Sequence, residues 1–236
     1  MNYLGCSGWF YWHWKGKFYP TDLPQSKWFQ YYAKHFNTVE LNSPFYHFPK
    51  PSTAKNWYRQ APKGFVYTLK VNKAITHVKK FHDTEKLIKE FYKLGDELKE
   101  KMGCFLFQLP PSLKYSEKKL EEIIEQLDLE RKNVIEFRDK SWFRKEVYEE
   151  LKKANIIFCI VSSPILPEEF VKTSKDVYIR FHGKTAWYRY NYSLSELKEW
   201  TEKIKKAKPE DLWAYFNNDA NAFAVENCLQ LKKMLE

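Results

Sequence analysis

Glycine is scarce, with 7 residues in 236, and none falls into a GxGxxG or GxxxxGK[ST] pattern. That excludes the glycine-rich phosphate loops of dinucleotide-binding folds and P-loop NTPases. No GxSxG elbow is present either, which removes the strand-to-helix nucleophile turn of serine hydrolases. Cys6, Cys104, Cys159 and Cys228 stand far apart with no CxxC pair, so no thiolate metal site or redox motif is spelled out. Buried thiols in a reduced compartment are the reading. The longest uninterrupted apolar run, Ile156 to Val161, has six residues, against the roughly 20 that a membrane-spanning helix needs. The opening MNYLGCSG has no basic stretch followed by an apolar one, so no secretory signal is visible. The expectation is a cytoplasmic protein with no membrane partner.

Aromatic residues and lysine are plentiful. There are 18 Phe, 16 Tyr and 9 Trp, and the formal net charge is +10. A basic balance suits phosphate-bearing partners, nucleic acid included. Much of the lysine, however, sits in mixed-charge helical stretches such as Thr84–Lys101 and Ser193–Lys208, which read as solvated helix faces. Arginine supplies only 6 of the 40 cations. Its rarity makes each one a candidate for bidentate anion recognition.

Short β-type runs alternate with helical pattern from end to end. Strands are predicted at Tyr3–Cys6, Thr38–Leu41, Val66–Val71, Cys104–Leu109, Asn133–Phe137, Ile156–Val161, Val177–Phe181 and Leu212–Phe216. Helices are predicted at Lys27–Phe36, Thr53–Ala61, Thr84–Lys101, Ser116–Leu127, Arg144–Ala154, Ser193–Lys206 and Asp219–Leu235, with a short turn of helix at Glu168–Val171. Ser193 and Glu196 have capping-box spacing, and Asp219 reads as an N-cap. Eight strands with crossovers define an α/β chain folded as a single (β/α)₈ TIM-type barrel over residues 1–236. A doubly wound open sheet is the runner-up.

Alternation within strands locates a site. Glu40 and Asn42 oppose Val39 and Leu41; Lys70 opposes Leu69 and Val71; Gln108 opposes Phe107 and Leu109. Glu136 and Arg138 oppose Ile135 and Phe137, Arg180 and His182 oppose Ile179 and Phe181, and Asn217 follows the eighth strand. If the aliphatic face packs on helices, these polar groups converge in the lumen at its C-terminal mouth, where barrel enzymes place their chemistry. Three cations against two carboxylates leave a positive surplus that an anionic ligand could neutralise. A self-satisfied ionic layer is the competing structural reading. Trp9, Tyr11, Tyr46 and Trp142 lie in loops at the same end and are candidates for stacking on a sugar or base.

The motifs GCSGWFYWHWKGKFYP (5–20), FNTVELNSPFYHFP (36–49), FVYTLKVNKAITH (65–77), FLFQLPPSL (105–113), VIEFRDKSWF (134–143), VYIRFHG (177–183) and YFNNDANAFAVEN (215–227) occur in that order. The chain thereby resembles the YecE-like family of unknown function, DUF72, over essentially its whole length. The resemblance implies a (β/α)₈-type barrel, distantly similar to endonuclease IV and sugar-isomerase folds, and implies no reaction. The chain departs from the family pattern at Asp139, where many members carry His, and at Ser162 and Ser163, where many carry Asp.

Three functional readings follow. The first is an enzyme acting on a small anionic sugar- or nucleotide-like ligand. Glu40 or Glu136 would be the acid/base, Lys70 an electrostatic or Schiff-base group and His182 a proton relay. Arg138 and Arg180 would grip the anion, and Asn42, Gln108 and Asn217 would orient hydroxyls. Arg180→Ala is then expected to cause a strong loss of ligand binding with little loss of fold. The second is a nucleic-acid-binding protein or hydrolase of damaged DNA. Only six histidines are present, too few in the lumen for a trinuclear metal site. A single divalent ion on Glu40, Glu136 and His182 is the one metal arrangement left, and no cofactor is otherwise expected. The third is a non-catalytic binding barrel.

Overall fold

The computed structural model describes residues 1–236. Its eight strands are β1 (Asn2–Cys6), β2 (Thr38–Leu41), β3 (Val66–Lys70), β4 (Met102–Gln108), β5 (Asn133–Glu136), β6 (Ile157–Ser162), β7 (Val177–Phe181) and β8 (Leu212–Phe216). All neighbouring pairs are parallel, in the order β1-β8-β7-β6-β5-β4-β3-β2, so the sheet curls into a nearly closed (β/α)₈ barrel. The helices are α1 (Trp28–His35), α2 (Ser43–Tyr46), α3 (Pro51–Gln60), α4 (Glu85–Leu98), α5 (Glu117–Glu125), α6 (Lys145–Lys153), α7 (Leu194–Ala207) and α8 (Phe223–Leu235). Seven of them match predicted helices within a few residues. The four-residue α2 and a π-helical turn at Ala74–Val78 were not predicted.

Strand alternation sorts the core into two layers, as the sequence pattern requires. Val39, Leu41, Leu69, Phe107, Ile135, Ile179 and Phe216 face the helices within one large cluster. A second cluster fills the lumen with Val66, Cys104, Leu106, Val134, Cys159, Tyr178, Trp213 and Tyr215. Helix α4 shows why its segment is helical. Ile88, Phe91, Tyr92, Gly95 and Leu98 recur at three- and four-residue spacing and are all buried.

The seam between β1 and β2 lacks a backbone ladder and is bridged by side chains. The Tyr32 hydroxyl accepts from the Cys6 amide at 2.8 Å and donates to the Thr38 carbonyl at 3.0 Å. Asn37 accepts from the Leu4 amide at 3.3 Å and donates to the Asn2 carbonyl at 2.8 Å. These two side chains occupy the bonding positions that a neighbouring strand would fill. Gly5 permits the close approach, because a Cβ there would collide with the Thr38 carbonyl.

Two local expectations are corrected. Glu168–Val171 forms no helical turn; the β6–β7 connection runs irregularly. Thr173 pins it to the start of β6, accepting from the Phe158 amide and donating to the Ile156 carbonyl. Asp219 does not cap α8: it precedes a 3₁₀ turn at Ala220–Ala222 without a side-chain cap bond, and α8 starts at Phe223 after Asn221 and Ala222, both in the left-handed region. The Ser193 capping box on α7 is present as read.

Candidate functional site

The polar ends of β2, β3, β4, β5, β7 and β8 do converge at the C-terminal mouth. A cavity of about 440 Å³ opens there, lined by Tyr11, Asn42, Tyr46, Lys70, Gln108, Arg138, Arg180, Tyr188, Asn217 and Asp219. That volume lies within the range of small-molecule sites. No helix is long and apolar enough to cross a membrane.

Glu40, Glu136 and His182 lie beneath the cavity floor and do not line it. All three are fully buried. Arg180 ties the carboxylates together: its Nη2 donates to Glu40 Oε1 at 2.6 Å and its Nη1 to Glu136 Oε2 at 2.5 Å. Glu40 also accepts from Ser7 Oγ at 2.8 Å and from the Tyr178 hydroxyl at 2.5 Å. Glu136 accepts from Gln108 Nε2 at 2.9 Å and pairs with Arg138 Nε at 2.5 Å. Burial alone would raise the Glu136 carboxyl, but Arg138, Arg180 and His182 outweigh it and hold it well below the usual carboxylate range.

His182 stands between the two guanidinium groups. Arg138 Nη2 lies 3.1 Å and Arg180 Nη1 3.4 Å from its Nε2. Glu136 Oε1 lies 3.3 Å from the same Nε2, and the Asn217 amide nitrogen lies 3.3 Å from Nδ1. Burial, then Arg138 and Arg180, push His182 down to about 3. The ring is therefore neutral near pH 7. Trp187 covers it, its ring 5.4 Å from His182 and 4.9 Å from the Arg138 guanidinium.

The single-ion site considered on Glu40, Glu136 and His182 is not formed. The Arg180 guanidinium fills the space between the carboxylates, and no cluster of three His, Cys, Asp or Glu side chains has metal-holding geometry. Two aromatic candidates also lie elsewhere. Trp142 is fully buried behind β5, stacked on Phe137 at 4.6 Å and donating to the Leu113 carbonyl. Trp9 packs on Phe29 and borders a separate surface hollow. In both cases sequence adjacency to a strand end says which loop a ring belongs to, and not which way the loop folds. Tyr11 and Tyr46 do line the mouth. Asp139, at the family-variable position, accepts from the Ser141 amide at 2.9 Å and pairs with Lys114. Ser162 accepts from Tyr192 at 2.8 Å.

Ser7 directly follows β1 and Tyr178 shares the lumen phase of β7 with Arg180, and neither carries a charge that would mark it in the sequence. Asp219 was missed as a site residue because its helix-start position offered a simpler reading. It is the one carboxylate lining the cavity, accepting from Trp14 Nε1 at 2.7 Å and lying 2.9 Å from His13 Nε2. Burial raises its pKa against the opposing effect of His13 and Trp14.

Fold and site together define a parallel (β/α)₈ barrel with a cation-lined polar cavity at its C-terminal mouth. The sequence profile of a family described as "Protein of unknown function DUF72" matches residues 3–236, and the chain belongs to that family. The UPF0759 protein YunF of Bacillus subtilis is 25% identical, covering 100% of this chain and 95% of its own length. The UPF0759 protein YecE of Escherichia coli K12 is 33% identical over 34% of this chain and 29% of its own length. A crystal structure of a DUF72 family protein from Thermotoga maritima superimposes with a TM-score of 0.90 at 32% identity, covering 100% of this chain and 99% of that one. A DUF72 family protein from Enterococcus faecalis shares the fold with a TM-score of 0.87 at 22% identity, over 100% and 95% of the chains.

Proposed function

We propose that the mouth cavity binds a small ligand bearing a phosphate or carboxylate, of sugar-phosphate or nucleotide-like size, and that the protein is an enzyme acting on it. The observation that carries this reading is the division of charge between floor and wall. Lys70, Arg138 and Arg180 line the cavity, while Glu40 and Glu136 lie below it with their oxygens engaged. The wall is left with more cation than anion. Arg138 is the side chain suited to the grip: it is partly open to the cavity, and its Nη1 makes no hydrogen bond within the protein. Asn42 lines the cavity, and its buried Oδ1 has no hydrogen-bond partner within the protein.

Acid/base work falls to Asp219 on this reading. Glu40 and Glu136 are closed off and position the guanidinium groups, whereas Asp219 lines the cavity with a raised pKa. Screening sugar phosphates and nucleotides by thermal shift tests the proposal. A stabilising ligand whose effect disappears in Arg138→Ala is expected; no ligand in either class, or one indifferent to Arg138, overturns it.

A nucleic-acid reading rests on a different observation. Phe10, Trp12, Tyr46, Phe48 and Tyr188, all on connections that follow the C-terminal ends of strands, expose 41–64% of their surface, and exposed rings beside cations suit stacked bases. Binding of labelled abasic-site duplex is the test. Phosphate-only binding falls by a factor on the order of 10³ between about 50 and 200 mM salt if 6 phosphates are contacted. Lesion-selective binding that survives the higher salt supports this reading, and salt-labile binding blind to the lesion removes it.

A further inference from the structure

Of the three cations at the mouth, Lys70 is the one without an acidic partner. Arg180 is taken up by Glu40 and Glu136, and Arg138 by Glu136 and His182. Lys70 makes no hydrogen bond or ion pair. Its Nζ instead lies 4.0 Å from the centre of the Phe45 ring, and the residue is 8% exposed, opening onto the cavity.

The apolar wall beside it is built deliberately by two turns. Phe45 is carried by α2, whose Pro44 carbonyl accepts from Asn72 Nδ2 at 2.7 Å. Asn72 Oδ1 accepts from the Ala74 amide at 2.9 Å and so anchors the π-helical turn after β3. That turn presents His77 edge-on to Phe45 at 4.9 Å. π-Helical turns are rare and concentrate at functional sites. The result is an amine on an apolar face, with a guanidinium close by and no carboxylate bound to it.

We propose that Lys70 is a covalent catalytic residue whose Nζ adds to the carbonyl carbon of an aldehyde or ketone that also carries a phosphate or carboxylate held by Arg138. This rests on the anion-site reading and narrows its substrate class. In the step, the nitrogen lone pair forms the C–N bond while the carbonyl π pair moves to oxygen. One amine proton transfers to that oxygen, and a second proton from solvent turns it into departing water. The nitrogen lone pair then closes the C=N bond, leaving a protonated iminium, with no oxidant or reductant required.

The charged neighbours favour a reactive amine. Burial, and after it Arg180, lower Lys70 to about 8, although Glu136 and Glu40 act the other way and Arg138 adds to the lowering. A lysine at that value has on the order of 100 times more free amine at pH 8 than one in solvent. His77, lowered to about 4 by burial and by Lys70 itself, stays neutral.

The test is reductive trapping with glyceraldehyde 3-phosphate and cyanoborohydride at pH 8, followed by peptide mapping, with equilibrium binding of glycerol 3-phosphate measured alongside. Glycerol 3-phosphate keeps the anion and lacks the carbonyl. Lys70 is expected to take up label at least about tenfold faster than any other lysine, and glycerol 3-phosphate is expected to protect it. Lys70→Arg should lose the fast adduct while retaining glycerol 3-phosphate binding, with Lys70→Met as a second variant. Label spread over surface lysines while glycerol 3-phosphate still binds would overturn the role of Lys70 and leave the anion site standing. Neither labelling nor binding would overturn both.

Discussion

Arg180 and Glu136 meet at 2.5 Å with both side chains closed to solvent, and the same guanidinium reaches Glu40 at 2.6 Å. This buried bridge explains how charged residues can occupy a lumen that barrels usually fill with Val, Ile and Leu. It also reassigns the two carboxylates, which hold arginines in position under the cavity.

The bridge makes Arg180 a folding residue as well as a site residue. Arg180→Ala leaves the buried Glu40 without a cationic partner and Glu136 with Arg138 alone, and is expected to destabilise the protein by about 3–5 kcal/mol. Urea unfolding measures this directly. A loss below about 1 kcal/mol, the range of exposed ion pairs, would show that the bridge is not closed in solution. The expectation from sequence, that Arg180→Ala would spare the fold, is corrected on this ground.

Arg138 should separate binding from folding. It sits partly open at the mouth, so Arg138→Ala is expected to raise the dissociation constant of any anionic ligand at least tenfold, about 1.4 kcal/mol. Its melting temperature should move much less than that of Arg180→Ala. Calorimetric titration and a melting curve on one preparation check both halves.

Acid should weaken the fold from near neutrality downward. His182 has an unfolded-state pKa of about 6.5 and a folded value of about 3, so below pH 6.5 the unfolded chain binds a proton that the native state refuses. Glu136, depressed in the folded state, adds a loss below about pH 4.3, the ordinary glutamate value. Stability contributed by His182 should fall by about 1.4 kcal/mol per pH unit between roughly pH 6 and 4. His182→Gln should reduce the slope over that interval by about that amount, leaving the share of His77, which is also lowered, to about 4, and an unchanged slope would contradict the neutral, buried imidazole.

The Tyr32 hydroxyl carries the β1–β2 seam. Tyr32→Phe leaves the Cys6 amide and Thr38 carbonyl unpaired and is expected to cost about 1–3 kcal/mol. Hydrogen exchange at the Cys6 amide should accelerate, while amides in the β7–β8 ladder should slow or quicken only with global stability. Unchanged protection at Cys6 would mean that water or a direct ladder closes the seam.

The barrel was legible because period-two alternation and helical spacing are local properties, and each strand repeats them. The lumen-phase polar residues were legible for the same reason: Glu40, Lys70, Gln108, Glu136, Arg138, Arg180 and His182 share one phase of the pleat. What alternation cannot show is depth. It placed Glu136 and Lys70 on one face without revealing that the first lies under the floor and the second opens onto the cavity. Loop residues escaped for another reason. Trp142 and Tyr188 both follow strand ends, and only the folded path of each loop turns Trp142 into the helix layer and Tyr188 toward the mouth. Asp219 carried an N-cap signal that its contacts with Trp14 and His13 supersede.

The most direct measurement is an equilibrium titration of glycerol 3-phosphate into the wild-type protein and into Arg138→Ala. Saturable one-to-one binding to the wild type, weakened at least about tenfold in the variant, is expected of a cavity lined by Lys70, Arg138 and Arg180. Absence of saturable binding, or equal binding by both proteins, would contradict the assignment of the mouth as an anion site.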